Sequence, residues 1–243
     1  MSIKSIMTAL ADAVRSKTGA TGKMNLQQMA ESLSASGTVT PGLIDRSITT
    51  YTIPSSVTSI GRSAFAYCTS LTSITIPSSV TSIGDAMFQG CTSLASIRIP
   101  SSVTSIGRSA FTDCISLTSI TIPSRVTRIG NGAFQGCTSL TSITIPSSVT
   151  IIENGVFNGC TSLTSITIPS GVTSINDAMF FHCTSLTSVT FPSSVTRIGW
   201  AFYGCTNLTD IYCGFAEGAV SGHGAPWGAD NARIHYNSQG PTT

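Results

Sequence analysis

The sequence predicts a repeat solenoid with parallel β-strands on one face and irregular turns on the other, preceded by a short α-helical segment. The main observation is a period of 23 residues, which separates six cysteines: Cys68, Cys91, Cys114, Cys137, Cys160 and Cys183. The segment LTSITIPSSVTSIGDAMFQGCTS at residues 71–93 also returns with small changes along most of the chain. A fixed period of this length is typical of stacked units that bury a shared core.

Each unit begins with a short predicted strand. Leu71, Ile74 and Ile76 follow LxxLxL spacing, so Thr75 points away from the core between two inward isoleucines. Pro77 follows, and proline is tolerated at a strand end because its missing N–H is needed only inside the ladder. The later inward candidates of the same unit are Val80, Ile83, Phe88 and Cys91.

The same frame extends beyond the six cysteines at both ends. It is matched by Ile48, Tyr51 and Ile53 before them, and by Leu208, Ile211 and Cys213 after them. Cys213 is therefore predicted in the last strand. The chain divides into a helical N-terminal anchoring or capping module (1–36), a linker (37–44), the solenoid (45–213) and a Gly-rich C-terminal cap (214–243).

The recurring cysteines are predicted to be buried thiols that fill the core. Stacked units would place neighbouring cysteines about 4.8 Å apart, but parallel Cβ vectors disfavour the torsion that a disulfide needs. No pair of cysteines has CxxC spacing followed by spaced histidines, so a zinc site is not expected. No cofactor is predicted.

The unit LTSITIPSSVTSIG, followed by AF and GCTS, resembles the BspA-type leucine-rich repeat, a family of bacterial surface proteins, some protist proteins and phage or prophage proteins. The resemblance covers residues 45–213. It implies a leucine-rich repeat solenoid used for adhesion or protein binding, and it does not imply an enzyme. The tail CGFAEGAVSGHGAPWGADNARIHYN resembles the segment that closes such arrays, which implies that Trp227 and Ile234 plug the open core.

The first 36 residues have a different pattern. Apolar residues recur at helical spacing at Ile3, Ile6, Met7, Leu10 and Val14, and a second short helix is predicted after KTGATGK. The run ADAVRSKTGATGKMNLQQMAESL resembles a short module at the front of phage and prophage virion proteins, including tail-associated ones. Such helices would cap the first repeat, associate with their own copies in a homo-oligomer, or dock onto virion proteins.

Composition and missing motifs exclude several classes of function. Charged residues make up 9% of the chain and the three lysines all lie near its start, so a nucleic-acid partner is not expected. No apolar run approaches the ~20 residues that span a bilayer, and the first residues make a poor signal peptide. His182, His223 and His235 have no evident carboxylate or nucleophile partner, so no catalytic site is predicted.

Two surfaces compete as the binding site. The sheet face is a monotonous array of Ser and Thr, interpreted as a solvated face, with glycan or protein docking and ice binding as alternatives. The turns vary more, and aromatics with arginines are typical of recognition surfaces, although drift at unconstrained loop positions gives the same pattern. The candidate binding surface comprises Phe181, His182, Trp200, Tyr203, Arg197, Tyr67, Arg125 and Arg128.

The leading hypothesis is a non-enzymatic phage virion-associated protein, such as a tail or head fibre or decoration protein. Its helical module would anchor it to the virion, and its solenoid would contact a protein or glycan on the host surface. Assembly in the host cytoplasm would account for reduced cysteines. The alternative is a bacterial BspA-like surface adhesin that binds host or matrix proteins, which should carry a secretion signal and an anchor.

Overall fold

Each 23-residue unit folds into one rung of a parallel β-solenoid in the computed structural model, which describes residues 38–39 and 46–240. The predicted strand forms in every unit with alternating exposed and buried residues, for example exposed Ser119 and Thr121 around buried Ile120. This first ladder comprises β2 (Thr50–Thr52), β4 (Ser73–Thr75), β6 (Ser96–Arg98), β8 (Ser119–Thr121), β10 (Ser142–Thr144), β12 (Ser165–Thr167), β14 (Ser188–Phe191), β16 (Asp210–Cys213) and β18 (Arg233–Tyr236). The helices predicted within residues 1–36 lie outside the described residues.

A second ladder of two-residue strands follows the prolines, where the sequence predicts only inward apolar residues. It comprises β1 (Thr38–Val39), β3 (Ser59–Ile60), β5 (Ser82–Ile83), β7 (Ser105–Ile106), β9 (Arg128–Ile129), β11 (Ile151–Ile152), β13 (Ser174–Ile175), β15 (Arg197–Ile198) and β17 (Ser221–Gly222). Strand β1 lies within the stretch interpreted as a linker, and its two residues pair in parallel with Ser59 and Ile60.

The turns form a third ladder of backbone hydrogen bonds between units. The Phe88 N–H donates to the Ala110 carbonyl at 2.8 Å, and the Phe111 N–H donates to the Ala133 carbonyl at the same distance. The three ladders satisfy backbone groups that would otherwise be unpaired inside the turns. They hold each unit to its neighbours along the whole perimeter of the solenoid.

The core contains a continuous stack of phenylalanine rings, one from each unit. Neighbouring ring centroids lie 5.3–5.9 Å apart and their planes agree within 18°. The stacked rings belong to Phe65, Phe88, Phe111, Phe134, Phe157, Phe180 and Phe202. All seven are fully buried. Ring contacts of this kind stabilise the core beyond the burial of apolar area, and they give every unit the same side-chain packing.

The cysteines form a second column in the core, which confirms their prediction as buried packing residues. All eight are buried. The Cys137 thiol donates to the Phe111 carbonyl at 3.2 Å, a bond that recurs in neighbouring units. Burial raises the pKa of the Cys91 thiol to about 12, and it raises the pKa of the Cys205 thiol to a similar value.

The C-terminal segment closes the solenoid as a partial extra rung. Trp227 is buried and its ring meets the edge of the Phe191 ring at 6.4 Å, which confirms its prediction as a plug. Ile234 is only partly buried, because it lies in β18 at the end of the first ladder. The Trp227 carbonyl accepts hydrogen bonds from the N–H groups of Ala201 and Phe202, which extends the turn ladder.

Candidate functional site

The hydroxyl groups of the repeat divide into two sets with different roles. Threonines outside the strands of the first ladder bond to the preceding unit, as when the Thr187 hydroxyl donates to the Thr164 carbonyl at 3.1 Å. By contrast, Ser119 and Thr121 on β8 make no side-chain hydrogen bond within residues 46–240. The first set therefore stabilises the stack, while the second set is available to solvent or to a ligand.

Three of the predicted surface residues form one aromatic cluster on the turn face near the C-terminal end. The rings of Phe181 and His182 each lie 5.6 Å from the ring of Tyr203, measured between centroids. Tyr203 is 54% exposed and Trp200 of the same turn is 41% exposed. These four residues, Phe181, His182, Trp200 and Tyr203, are named the C-terminal edge.

The backbone of His182 explains how its ring reaches Tyr203. His182 has a φ of 56°, and its counterparts in the adjacent units are Gly159 and Gly204. The imidazole lies over Gly204, where an added Cβ would overlap Nδ1 of His182. A glycine in the next unit is therefore required to seat this ring at the edge.

Trp200 is positioned by the shortened last unit. Its N–H donates to Oδ1 of Asp177 at 2.8 Å, and its carbonyl accepts from Ala178 at 2.9 Å. Its ring contacts the ring of His223 in the cap at a centroid distance of 5.6 Å. A Cβ on Gly228 would lie 3.2 Å from Cε2 of Trp200, so the cap backbone packs closely beside the indole. The lost residue leaves room for this contact between cap and turn.

The other predicted surface residues lie elsewhere. Tyr67 is 50% exposed on the first described turn, five units before His182, and the Arg46 guanidinium lies 5.9 Å from its ring centroid. Arg128 and Arg197 lie on the second ladder, in β9 and β15, and Arg125 is exposed at the corner before β9. Tyr67, Arg125 and Arg128 therefore lie in earlier units than the C-terminal edge, whereas Arg197 lies on the second ladder of the same unit as Trp200, three residues before it.

Comparison with known families agrees with the geometry of the repeats. Residues 44–161 and 127–215 match the family described as BspA type Leucine rich repeat region, with six copies. The chain belongs to the BspA-type leucine-rich repeat family. The sequence resemblance to that family is thereby confirmed, whereas the resemblance of the N-terminal module to virion proteins stays a prediction.

Two solved structures resemble this BspA-type repeat protein. A leucine-rich repeat protein from Bacteroides ovatus is 32% identical, with a TM-score of 0.64. The match covers 82% of this chain and 59% of the Bacteroides chain. The T. pallidum Leucine Rich Repeat protein is 34% identical, with a TM-score of 0.62. The match covers 66% of this chain and 78% of the T. pallidum chain. The chain thus spans less than two thirds of the Bacteroides protein. No match was found among curated protein sequences.

One polar pair of the BspA-type solenoid corrects the expectation that its histidines lack carboxylate partners. Nε2 of His235 lies 2.7 Å from Oδ1 of Asp210, its neighbour at the end of the first ladder, and the His235 ring stacks on Tyr212 at 4.7 Å. The hydrogen bond from His235 lowers the pKa of Asp210. The Thr209 hydroxyl donates to the same carboxylate, so the group ties the cap to the last full unit.

Among residues 38–39 and 46–240, no group of three or more His, Cys, Asp or Glu side chains could hold a metal ion. The same residues contain no helix with the length and apolarity needed to span a membrane.

Proposed function

We propose that this leucine-rich repeat protein is a non-enzymatic recognition protein that binds a macromolecular partner through the C-terminal edge. The observation that carries the proposal is the C-terminal edge itself: Tyr203 and Trp200 are exposed, and the rings of Phe181 and His182 both contact the ring of Tyr203. Exposed neighbouring aromatic side chains are the residues that most often dominate binding energy at protein interfaces.

The construction of the edge supports the same function. His182 and Trp200 are each bonded through the backbone to a neighbouring unit, and their rings contact other rings. Aromatic side chains fixed in this way lose little conformational freedom when a partner binds. A ladder scaffold therefore offers a preorganised surface rather than a flexible loop.

The same function is proposed to operate on a phage virion, with residues 1–36 as the anchor to the particle and the solenoid directed toward the host surface. Two observations support this location. The N-terminal sequence resembles virion modules, and the core contains thiols from Cys91 to Cys205 that donate to backbone carbonyls, which suits a protein that folds in a reducing cytoplasm. A bacterial surface adhesin is the alternative.

Replacing Trp200 and Tyr203 together with alanine is expected to weaken binding to host cells by about tenfold or more, because each exposed ring contributes on the order of 1 kcal/mol to an interface. Flow cytometry with the fluorescently labelled full chain measures this binding. The melting temperature should change by no more than about 2 °C, since both side chains are largely outside the core. Tyr67→Ala, an equally exposed ring at the other end, is the matched control. Unchanged binding by the double variant would reject the C-terminal edge as the contact.

The virion location is tested by sedimentation. The full chain is expected to co-sediment with phage particles, and a chain that begins at residue 37 is expected to remain in the supernatant because the proposed anchor is missing. Both chains should bind host cells equally if the solenoid alone makes that contact. A full chain that remains in the supernatant would contradict the virion role, and its recovery on the surface of the producing bacterium would support the adhesin alternative.

A further inference from the structure

One charged side chain interrupts the hydroxyl array of the first ladder. The outward positions of its first seven strands, from Thr50 to Thr190, carry Ser or Thr except at Arg98 on β6. Arg98 lines an open groove of about 580 Å³ that crosses β4, β6 and β8. Thr75 on β4 and Thr121 on β8, the strands on either side of Arg98, also line the groove, together with Pro100 and Pro123.

The charge of Arg98 is not neutralised within the described part of the chain. Among residues 46–240, no carboxylate lies within ion-pair distance of its guanidinium, whereas Arg128 on the second ladder is paired with Glu153. None of the described residues that line the groove is acidic. An exposed guanidinium without a partner, in a groove free of negative charge, is complementary to a carboxylate, which it can hold through two parallel hydrogen bonds.

We propose that this groove binds an acidic sugar of a glycan chain, with Arg98 holding the carboxylate. Thr75 and Thr121 lie on the strands on either side of Arg98, and their hydroxyls can each donate and accept, which matches the hydroxyl groups of a sugar ring. The rings of Pro100 and Pro123 offer apolar surface to the C–H groups of the sugar. The groove has the volume of a site for a ligand of one to a few rings.

An acidic peptide fits the groove less well. A peptide bound by strand addition needs an unpaired strand edge, and the groove lies on the face of a ladder whose neighbouring strands β6 and β8 already pair with each other. The acidic sugar is therefore the occupant that the groove favours, independently of the C-terminal edge.

Isothermal titration of the full chain with sialyllactose and with a hyaluronan hexasaccharide tests the proposal, with lactose as the neutral probe. At least one acidic sugar is expected to bind, and lactose is expected to bind at least about tenfold more weakly because it lacks the carboxylate. R98T should lose about tenfold or more in affinity. The substitution restores the residue of the neighbouring strands, so folding is expected to be retained.

Two further variants distinguish binding in the groove from binding elsewhere on the solenoid. R197S removes one exposed positive charge from the second ladder and should bind the acidic sugars like the parent chain. The double alanine variant at Trp200 and Tyr203 should also bind them normally, so failure of the C-terminal edge would leave this site intact. Equal binding by R98T, absence of binding to both acidic sugars, or tighter binding of a hexaglutamate peptide would each overturn the proposal.

Discussion

Raising the pH from 8 to about 10 is expected to unfold the solenoid. Burial raises the pKa of all six thiols from Cys91 to Cys205 in the cysteine column, so they stay protonated while the unfolded chain loses their protons near pH 9. The unfolded state then binds fewer protons than the folded state, and stability falls as pH rises. Each thiol contributes about 1.4 kcal/mol per pH unit above its unfolded pKa, so six contribute about 8 kcal/mol per unit, comparable with the whole stability of a domain.

Urea unfolding under reducing conditions at several pH values between 7 and 10 measures this dependence as a free energy of unfolding. The control is a triple variant with Cys114, Cys137 and Cys160 replaced by alanine. It is less stable at pH 7 because small cavities form, but its stability should fall with pH about half as steeply. If the parent and triple variant lose stability with the same slope, ionisation of the thiols is not the cause.

Phe134→Ala is expected to lower the free energy of unfolding by about 3–5 kcal/mol, because a fully buried ring leaves a cavity that the rigid ladders cannot fill. The loss includes the two ring contacts to Phe111 and Phe157, at 5.4 and 5.9 Å. Urea titration followed by circular dichroism provides the measurement.

Ile151→Ser is the matched control for the ring deletion. Ile151 is 45% exposed on the second ladder and replaces a serine found at this position in other units. Its substitution should change stability by less than about 0.5 kcal/mol. A Phe134→Ala variant as stable as the control would mean that the phenylalanine stack does not stabilise the fold.

Most of the fold could be predicted from one unit, because a period of 23 residues fixes which side chains meet their copies. The sequence pattern assigned the first ladder as far as β16 and the cysteine column, and it placed Cys213 in a strand, although that strand is followed by β18 of the cap. It did not predict the second ladder, because two-residue strands leave no alternation to detect and their pairing depends on the neighbouring unit. The two strands of the cap, β17 and β18, were also not predicted, because the Gly-rich cap sequence does not repeat the apolar pattern of the units.

Less of the candidate site could be predicted from the sequence. The variable turns indicated the aromatic residues near His182, but adjacency of the rings depends on backbone geometry. The Asp210–His235 pair was missed because its partners are 25 residues apart, outside the period. Arg98 was visible only as one substitution in a row of hydroxyls, and the groove around it could not be seen without coordinates.

The turn position of His182, where φ is positive, also constrains how the number of repeats can change during evolution. At this position Tyr67 lies over Gly90, and Asp113 lies over Gly136, in the same way that His182 lies over Gly204. Unequal recombination between near-identical repeats readily adds or removes whole units. A duplication that placed two such side chains in successive units would force the first out of its present rotamer, so the length variants expected to keep this packing are those in which each unit with a side chain here is followed by one with glycine.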